Sequence, residues 1–323
     1  MSEETASHPI ETCYLSASGR SQEDCVFIGQ RYDADRGFKP REAESWLMLH
    51  TRVEAGVQTS AHIPSSTWYT AVWRAPSGQV FLADAVNRAV YRCPALTGPE
   101  GGVWSDERLP AAIHGLWGID DNDVYAWGGN REGFPMFHWD GDAWRDMAAP
   151  GFEVFALHGT APNCLWAVGD AGQVAFWDGG RWYPYPTPTR EVLNAVFVRD
   201  RDHVYATGAQ GSLLEGATHG WTKICDGPVP GLPLFAVAWW GDALWVGARQ
   251  WGLLRRVGRS AELEAVKPNV WATHLEAREA LLITEPQRVV STEDGKTFSA
   301  SGSGKLDEFT GGRRLHYFRR GVS

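Results

Sequence analysis

The chain has 323 residues, 43% hydrophobic and 21% charged, which excludes global disorder and leaves ample material for a buried core. Its 30 Lys and Arg face 39 Asp and Glu, a formal charge of −9 with neutral histidines, which argues against non-specific nucleic-acid binding. No apolar run approaches the roughly 18–20 residues of a membrane span, and the cysteines (Cys13, Cys25, Cys93, Cys164, Cys225) are odd in number and never two residues apart, so neither a disulfide framework nor a zinc site is expected.

The opening MSEETASHPIETC has no basic region followed by an apolar stretch, so no secretory signal is expected and the reading is a reduced, cytoplasmic chain. From there the sequence repeats. Ser16 is followed thirteen positions later by Gly29, closing the apolar strand core VFIG (26–29). Ala71 and Ala83 recur more loosely around VFLA (80–83), and then three copies keep the spacing of thirteen: Gly115/Gly128 around VYAWG (124–128), Ala156/Gly169 around LWAVG (165–169) and Ala195/Gly208 around VYATG (204–208). Ala236/Gly247 with LWVG (244–247) and Ala272/Thr284 with LLIT (281–284) complete seven copies, whose small residues lie 55, 44, 41, 39, 41 and 36 positions apart. A second short strand follows each core, as in QVAFW (173–177), SLLE (212–215) and RVVS (288–291). Then come a turn and an aromatic: DGDAW (140–144), DGGRW (178–182), ATHGW (217–221) and EDGKTF (293–298).

Asp-Gly and Gly-Gly between strands suit tight hairpins, whose turns need positive φ. Each unit therefore reads as four short antiparallel strands with no room for a helix. Seven such units predict an all-β fold, a seven-bladed β-propeller of four-stranded antiparallel blades, with small residues near the axis and Trp filling the widening space outside. An irregular sandwich is the alternative, while the two-residue alternation excludes a helical solenoid. The expected organisation is one domain over 1–323, with blades near 12–66, 67–110, 111–151, 152–190, 191–230, 231–267 and 268–302, and a closing strand or tail at 303–323.

The segment STEDGKTF (291–298) resembles the Asp-box, S-x-D-x-G-x-T-W, of sialidase-like propellers, with Glu293 in place of the aspartate and Phe298 in place of the tryptophan. The remaining units are similar to the Gly- and Trp-rich repeats of photosystem II assembly-factor-type propellers and of many bacterial repeat proteins, over about residues 12–302. The resemblance implies the architecture. Activity does not follow from it, because that superfamily holds glycosidases, assembly factors and binding modules, and the Asp-box is in that family a structural turn.

In a propeller, the loops joining second to third strands and one blade to the next share a face, and the remaining turns share the other. The latter turns carry nearly all of the charge of −9; Asp120, Asp121, Asp123, Asp140, Asp142 and Asp242 stand there, marking an acidic face that would steer a basic protein partner. The loop face is close to neutral and richer in arginine and aromatics. Arginine and aromatic side chains are enriched at binding hot spots, so Arg31, Arg36, Phe38 and Arg41 in the long loop near 30–45, then Arg88, Arg131, Phe134, Arg249 and Trp251, are candidate partner contacts. The plain alternative is that these are solvated turn charges and that Trp251 caps a blade.

No catalytic set emerges. A sialidase-type site needs converging arginines, a Tyr/Glu nucleophile pair and an acid; Arg31, Arg88, Arg131 and Arg249 sit in comparable loops with Tyr32 nearby, but no Arg-containing signature precedes the first blade. The histidines form no H-E-x-x-H, and His114, His158 and His274 on inner strands read as structural. The run Asp120-Asp121-Asn122-Asp123 lacks the glycine and bidentate glutamate of a calcium loop. GSGK (302–305) lacks the remainder of a phosphate loop. Neither metal nor cofactor is expected. Trp104, Trp144, Trp182 and Trp221 recur at one repeat position and read as inter-blade core, and the basic tail RRLHYFRRGV (313–322) as a strand covering a blade edge.

The expected function is a non-enzymatic scaffold, monomeric alone, that binds another protein rather than nucleic acid or membrane. One concrete version is an immunity-type partner that occludes a toxin or enzyme. An assembly or chaperone-like factor, and a carbohydrate-binding or glycosidase-like propeller, are the alternatives.

Overall fold

A computed structural model describes residues 10–33, 39–65, 67–96, 98, 101–225, 231–258 and 262–302. Seven four-stranded antiparallel sheets follow one another, and within each the strands pair in chain order. They occupy 10–65, 69–108, 112–147, 154–185, 193–225, 236–267 and 274–302, and are called blades one to seven. The described helical content is two single 3-10 turns, Asp170–Gly172 and Ala209–Gly211. The first strand of each blade lies against the first strands of both neighbours, all the way round and back from blade seven to blade one. The molecule is therefore a seven-bladed β-propeller. No described helix is long and apolar enough to cross a membrane.

The core lies between blades. Phe81 and Trp73 of blade two pack with Phe137, Trp139 and Trp144 of blade three, and Trp166 of blade four meets Trp221 of blade five with ring centroids 5.4 Å apart. Trp104 and Trp182 join the equivalent clusters at the blade one–two and three–four interfaces. Each recurrent Trp opens or precedes a fourth strand and reaches back onto the preceding blade, filling the space that opens as sheets diverge from the axis.

The spacing of thirteen has a cause that its regularity alone does not reveal. The small residue and the glycine are not register partners: Ala156 pairs with Val168 while Gly169 pairs with Val154, and a bulge lies between. The same offset sets Ala195 against Thr207 and Gly208 against Leu193. With that offset, the carbonyl just before the first strand lies over the glycine. A Cβ on Gly169 would lie 2.1 Å from Glu153 O, and one on Gly208 2.0 Å from Val192 O. In blade six, whose first two strands pair without a bulge, Ala236 and Gly247 do pair.

No strand passes between blades seven and one among the described residues; one backbone bond, Tyr14 N to Pro286 O (2.7 Å), and several side-chain bonds join them instead. Gln22 N donates to Ser291 Oγ (3.2 Å), Ser291 Oγ donates to Gln22 Oε1 (2.6 Å), and Ser301 Oγ donates to Gln22 O (3.0 Å). Nearer the axis, Glu276 accepts from Ser18 Oγ (3.2 Å), Gly19 N (3.3 Å) and Arg278 Nε (2.6 Å). The tail at 313–322 lies outside the described residues.

Candidate functional site

On the loop face, blades two and three present one built patch. Asp84, fully buried, accepts from Thr67 Oγ1 (2.6 Å), Val86 N (3.0 Å), Asn87 N (2.9 Å) and Asn87 Nδ2 (2.8 Å). That carboxylate fixes the loop in which Arg88 stands with φ 55°. Arg88 O accepts from Leu109 N (2.7 Å) in the connection to blade three, and the neighbouring Pro110 O accepts from Asn130 Nδ2 (3.2 Å). Asn130 Oδ1 in turn accepts from Glu132 N (2.8 Å) and Gly133 N (3.0 Å), holding the loop that carries Arg131 and Phe134. Arg88, Arg131 and Arg108 are exposed and form no ion pair among the described residues, and Phe134 is 43% exposed. Three expected contacts, Arg88, Arg131 and Phe134, thus stand on loops tied to the strand that ends in Arg108. Sequence reading missed Arg108 because it lies in no loop.

The other expected contacts divide. Arg31 is bound to Glu44 and lies over Trp46 at 5.8 Å, which makes it part of blade one's own surface. Arg41 is exposed; Arg36 and Phe38 lie outside the described residues. Arg249 adopts φ 47° and its guanidinium stacks on Phe235 at 3.6 Å, while Trp251, two residues on, is 44% exposed. These two stand on blade six, across the ring from Phe134.

On the opposite face, the turn carboxylates hold their own turns. Asp120 accepts from Asn122 N (2.9 Å) and Asp123 N (3.1 Å), and Asp140 from Asp142 N (3.0 Å) and Ala143 N (2.9 Å). Those backbone bonds, with Arg145, keep the Asp140 carboxyl well below the usual range. Asp123 accepts from His138 Nε2 (2.8 Å), and Asp121 accepts from Ser77. Asp142 and Asp242 are exposed, Asp242 with φ 58°. In STEDGKTF the turn is held by Asp294, which accepts from Lys296 N (2.8 Å) and Thr297 N (2.7 Å) and is pulled down to about 2 by those backbone bonds, whereas Glu293 points to solvent. A groove of about 730 Å³ opens at the seam, lined by Arg20, Glu23, Asp24, Arg52, Glu279 and Glu293 among others. Its arginines are matched locally, Arg52 to Glu23 at 3.2 Å and Arg20 to Asp24 at 3.9 Å.

The interior contains one Cys–His pair. Cys25 Sγ lies 3.9 Å from His50 Nδ1, both fully buried, and burial pushes the thiol far above its ordinary range, the reverse of what a nucleophile needs. His50 Nδ1 donates to Gln22 O (2.7 Å), and burial lowers its pKa to about 4. His158 is wedged between Trp117 (4.9 Å) and Phe197 (4.4 Å), accepts from Val198 N at 3.1 Å, and is lowered by burial to about 3. His114 departs from the expected structural role: it is exposed and 3.8 Å from Glu153. No described group of three His, Cys, Asp or Glu could hold a metal ion.

No family model matches the sequence. The chain is homologous to the immune protein Tsi7 of Pseudomonas aeruginosa, with 32% identity over 139 residues; the match covers 40% of this chain and 44% of Tsi7, so it spans less than half of that relative. In fold, the chain is similar to YCF48 bound to a D1 peptide, with 11% identity, a TM-score of 0.61, and 86% of this chain and 92% of that one covered. It is equally similar to virginiamycin B lyase from Staphylococcus aureus, with 11% identity, a TM-score of 0.62, and 90% and 97% covered.

Proposed function

We propose that this chain is a non-enzymatic, cytoplasmic immunity protein, a rigid propeller that binds a protein toxin and blocks it. The observation that carries this reading is the homology to Tsi7. The lyase and the D1-peptide binder share the fold at 11% identity and favour neither catalysis nor assembly. Two features of the molecule support the reading. Loops on one face are locked by buried or backbone-bound polar groups, so a partner meets a surface already ordered, which lowers the entropic cost of binding. The reactive-looking interior pair, Cys25 and His50, is sealed from solvent. The likeness of 291–298 to an Asp-box fits a turn-forming role, supplied here by Asp294.

Purification of the tagged chain from cells that express it is expected to retain one protein in stoichiometric amount. Expressing that protein alone should arrest growth of a naive host, and co-expressing this chain should relieve the arrest. Retention of no protein, or turnover of a fluorogenic sialoside that Arg88→Ala or Arg131→Ala abolishes, would overturn the proposal.

A further inference from the structure

Resting on that protein-binding reading, we infer that the partner docks on the loop face over blades two and three, and that it offers carboxylates around an apolar pocket. The surface consists of Arg88, Arg108, Arg131, Pro110 and Phe134.

Three observations point the same way. First, the patch is continuous and rigid. One chain of hydrogen bonds runs from buried Asp84 through the Arg88 loop to Leu109, and from Pro110 to Asn130 and the Phe134 loop. Second, its cations are uncommitted. Arg88, Arg108 and Arg131 have no carboxylate partner among the described residues, whereas Arg31, Arg52, Arg74, Arg145, Arg278 and Arg288 all do. Third, a large apolar side chain in the Arg131 loop, Phe134, is left in water at 43% exposure. An aromatic anchor entering a pocket while arginines clamp carboxylates at its rim is the composition of an interface hot spot. Glu132, in the same loop, and Asp106 and Glu107, next to Arg108, are exposed carboxylates and would have to face the rim or a solvent gap.

The charge expected of the partner is thus opposite to that suggested by the acidic face. There, Asp120, Asp140 and Asp294 keep their charge but have oxygens engaged by their own turns, and Asp123 by His138, so fewer carboxylate oxygens are free to accept from a partner than a count of carboxylates suggests.

The test uses the full chain and the partner it retains on purification. A photo-crosslinking amino acid is placed at Phe134, at Trp251, or at Asp242 on the opposite face. The expected result is a covalent adduct from position 134 alone, mapped to a partner segment containing Asp or Glu. Arg131→Glu and Arg88→Glu should each weaken binding at least about tenfold, and Phe134→Ala about as much, with unchanged thermal unfolding of the free chain. Asp142→Lys and Asp242→Lys should leave binding within about twofold. An adduct from position 242 or 251, or binding that survives Arg88→Glu with Arg131→Glu while the Asp reversals abolish it, would overturn the inference and leave the immunity reading standing. Failure to retain any protein would remove both.

Discussion

At the scale of single residues, the repeat glycines Gly128, Gly169 and Gly208 are required by the closeness of backbone carbonyls. Gly208 cannot accept a methyl group without displacing Val192 O, which would lie 2.0 Å away. Gly208→Ala is therefore expected to lose about 1–3 kcal/mol of stability in denaturant unfolding. Gly180→Ala is the control, because a Cβ there meets nothing nearer than 3.6 Å, and its cost should stay within about 0.5 kcal/mol. Equal losses would refute the account. The inner histidine gives a pH signature. His158 Nδ1 accepts from Val198 N and the ring lies between Trp117 and Phe197, so the folded chain holds it neutral, with a pKa of about 3. Unfolded, it titrates near 6.5, so between those values the unfolded state binds the extra proton. The contribution is complete above pH 6.5 and declines as pH falls toward 3. His158→Gln keeps an acceptor for Val198 N and removes the titration. Between pH 6 and 4, wild type should lose stability faster than this variant by about 1.4 kcal/mol per pH unit. Parallel pH curves would show that the imidazole is protonated in the folded state.

At the scale of elements, four strands per blade, the Asp-Gly and Gly-Gly hairpins and the inter-blade Trp positions were readable because each has a local cause that repeats. The bulges were not, since a spacing of thirteen is compatible with paired or offset register; only the carbonyl over Gly169 and Gly208 decides between them. Ring closure was readable as a need for blade one to meet blade seven, but not in its means. Its polar groups, Ser18, Gln22, Glu276 and Ser301, come from positions far apart in the chain and share no motif. Closure through side chains and the single backbone bond from Tyr14 N to Pro286 O leaves the seam weaker than the ladders within blades. Glu276→Ala removes the acceptor of Ser18, Gly19 N and Arg278 in partly buried surroundings, a loss of about 2 kcal/mol. Hydrogen exchange should then accelerate first in the outer strands of blades one and seven, while Leu165–Gly169 of blade four stays protected. Uniform acceleration round the ring would mean that the seam is no weaker than any other interface.

For the whole molecule, a count of charges by loop and turn does not say which of them are available to a partner. Which carboxylates are free depends on whether backbone amides in the same turn point at them, and Asp140 and Asp142, two residues apart, differ in that respect: Asp140 accepts from its turn and Asp142 is exposed. Likewise Arg31 and Arg131 look alike as loop arginines, yet Glu44 takes up the first and no described carboxylate takes up the second. A ring in which every blade leans on two neighbours has a further consequence. A partner that docks on ordered loops binds the folded ring and not the unfolded chain, so it must raise the unfolding free energy, by about 2.7 kcal/mol at a free concentration of one hundred times Kd. Thermal unfolding with and without the retained protein measures this directly. An immunity-type complex should unfold at a higher temperature in proportion to the logarithm of partner concentration. An unchanged melting temperature at saturating partner would mean that the retained protein does not bind the folded ring, and would overturn docking on its ordered loops.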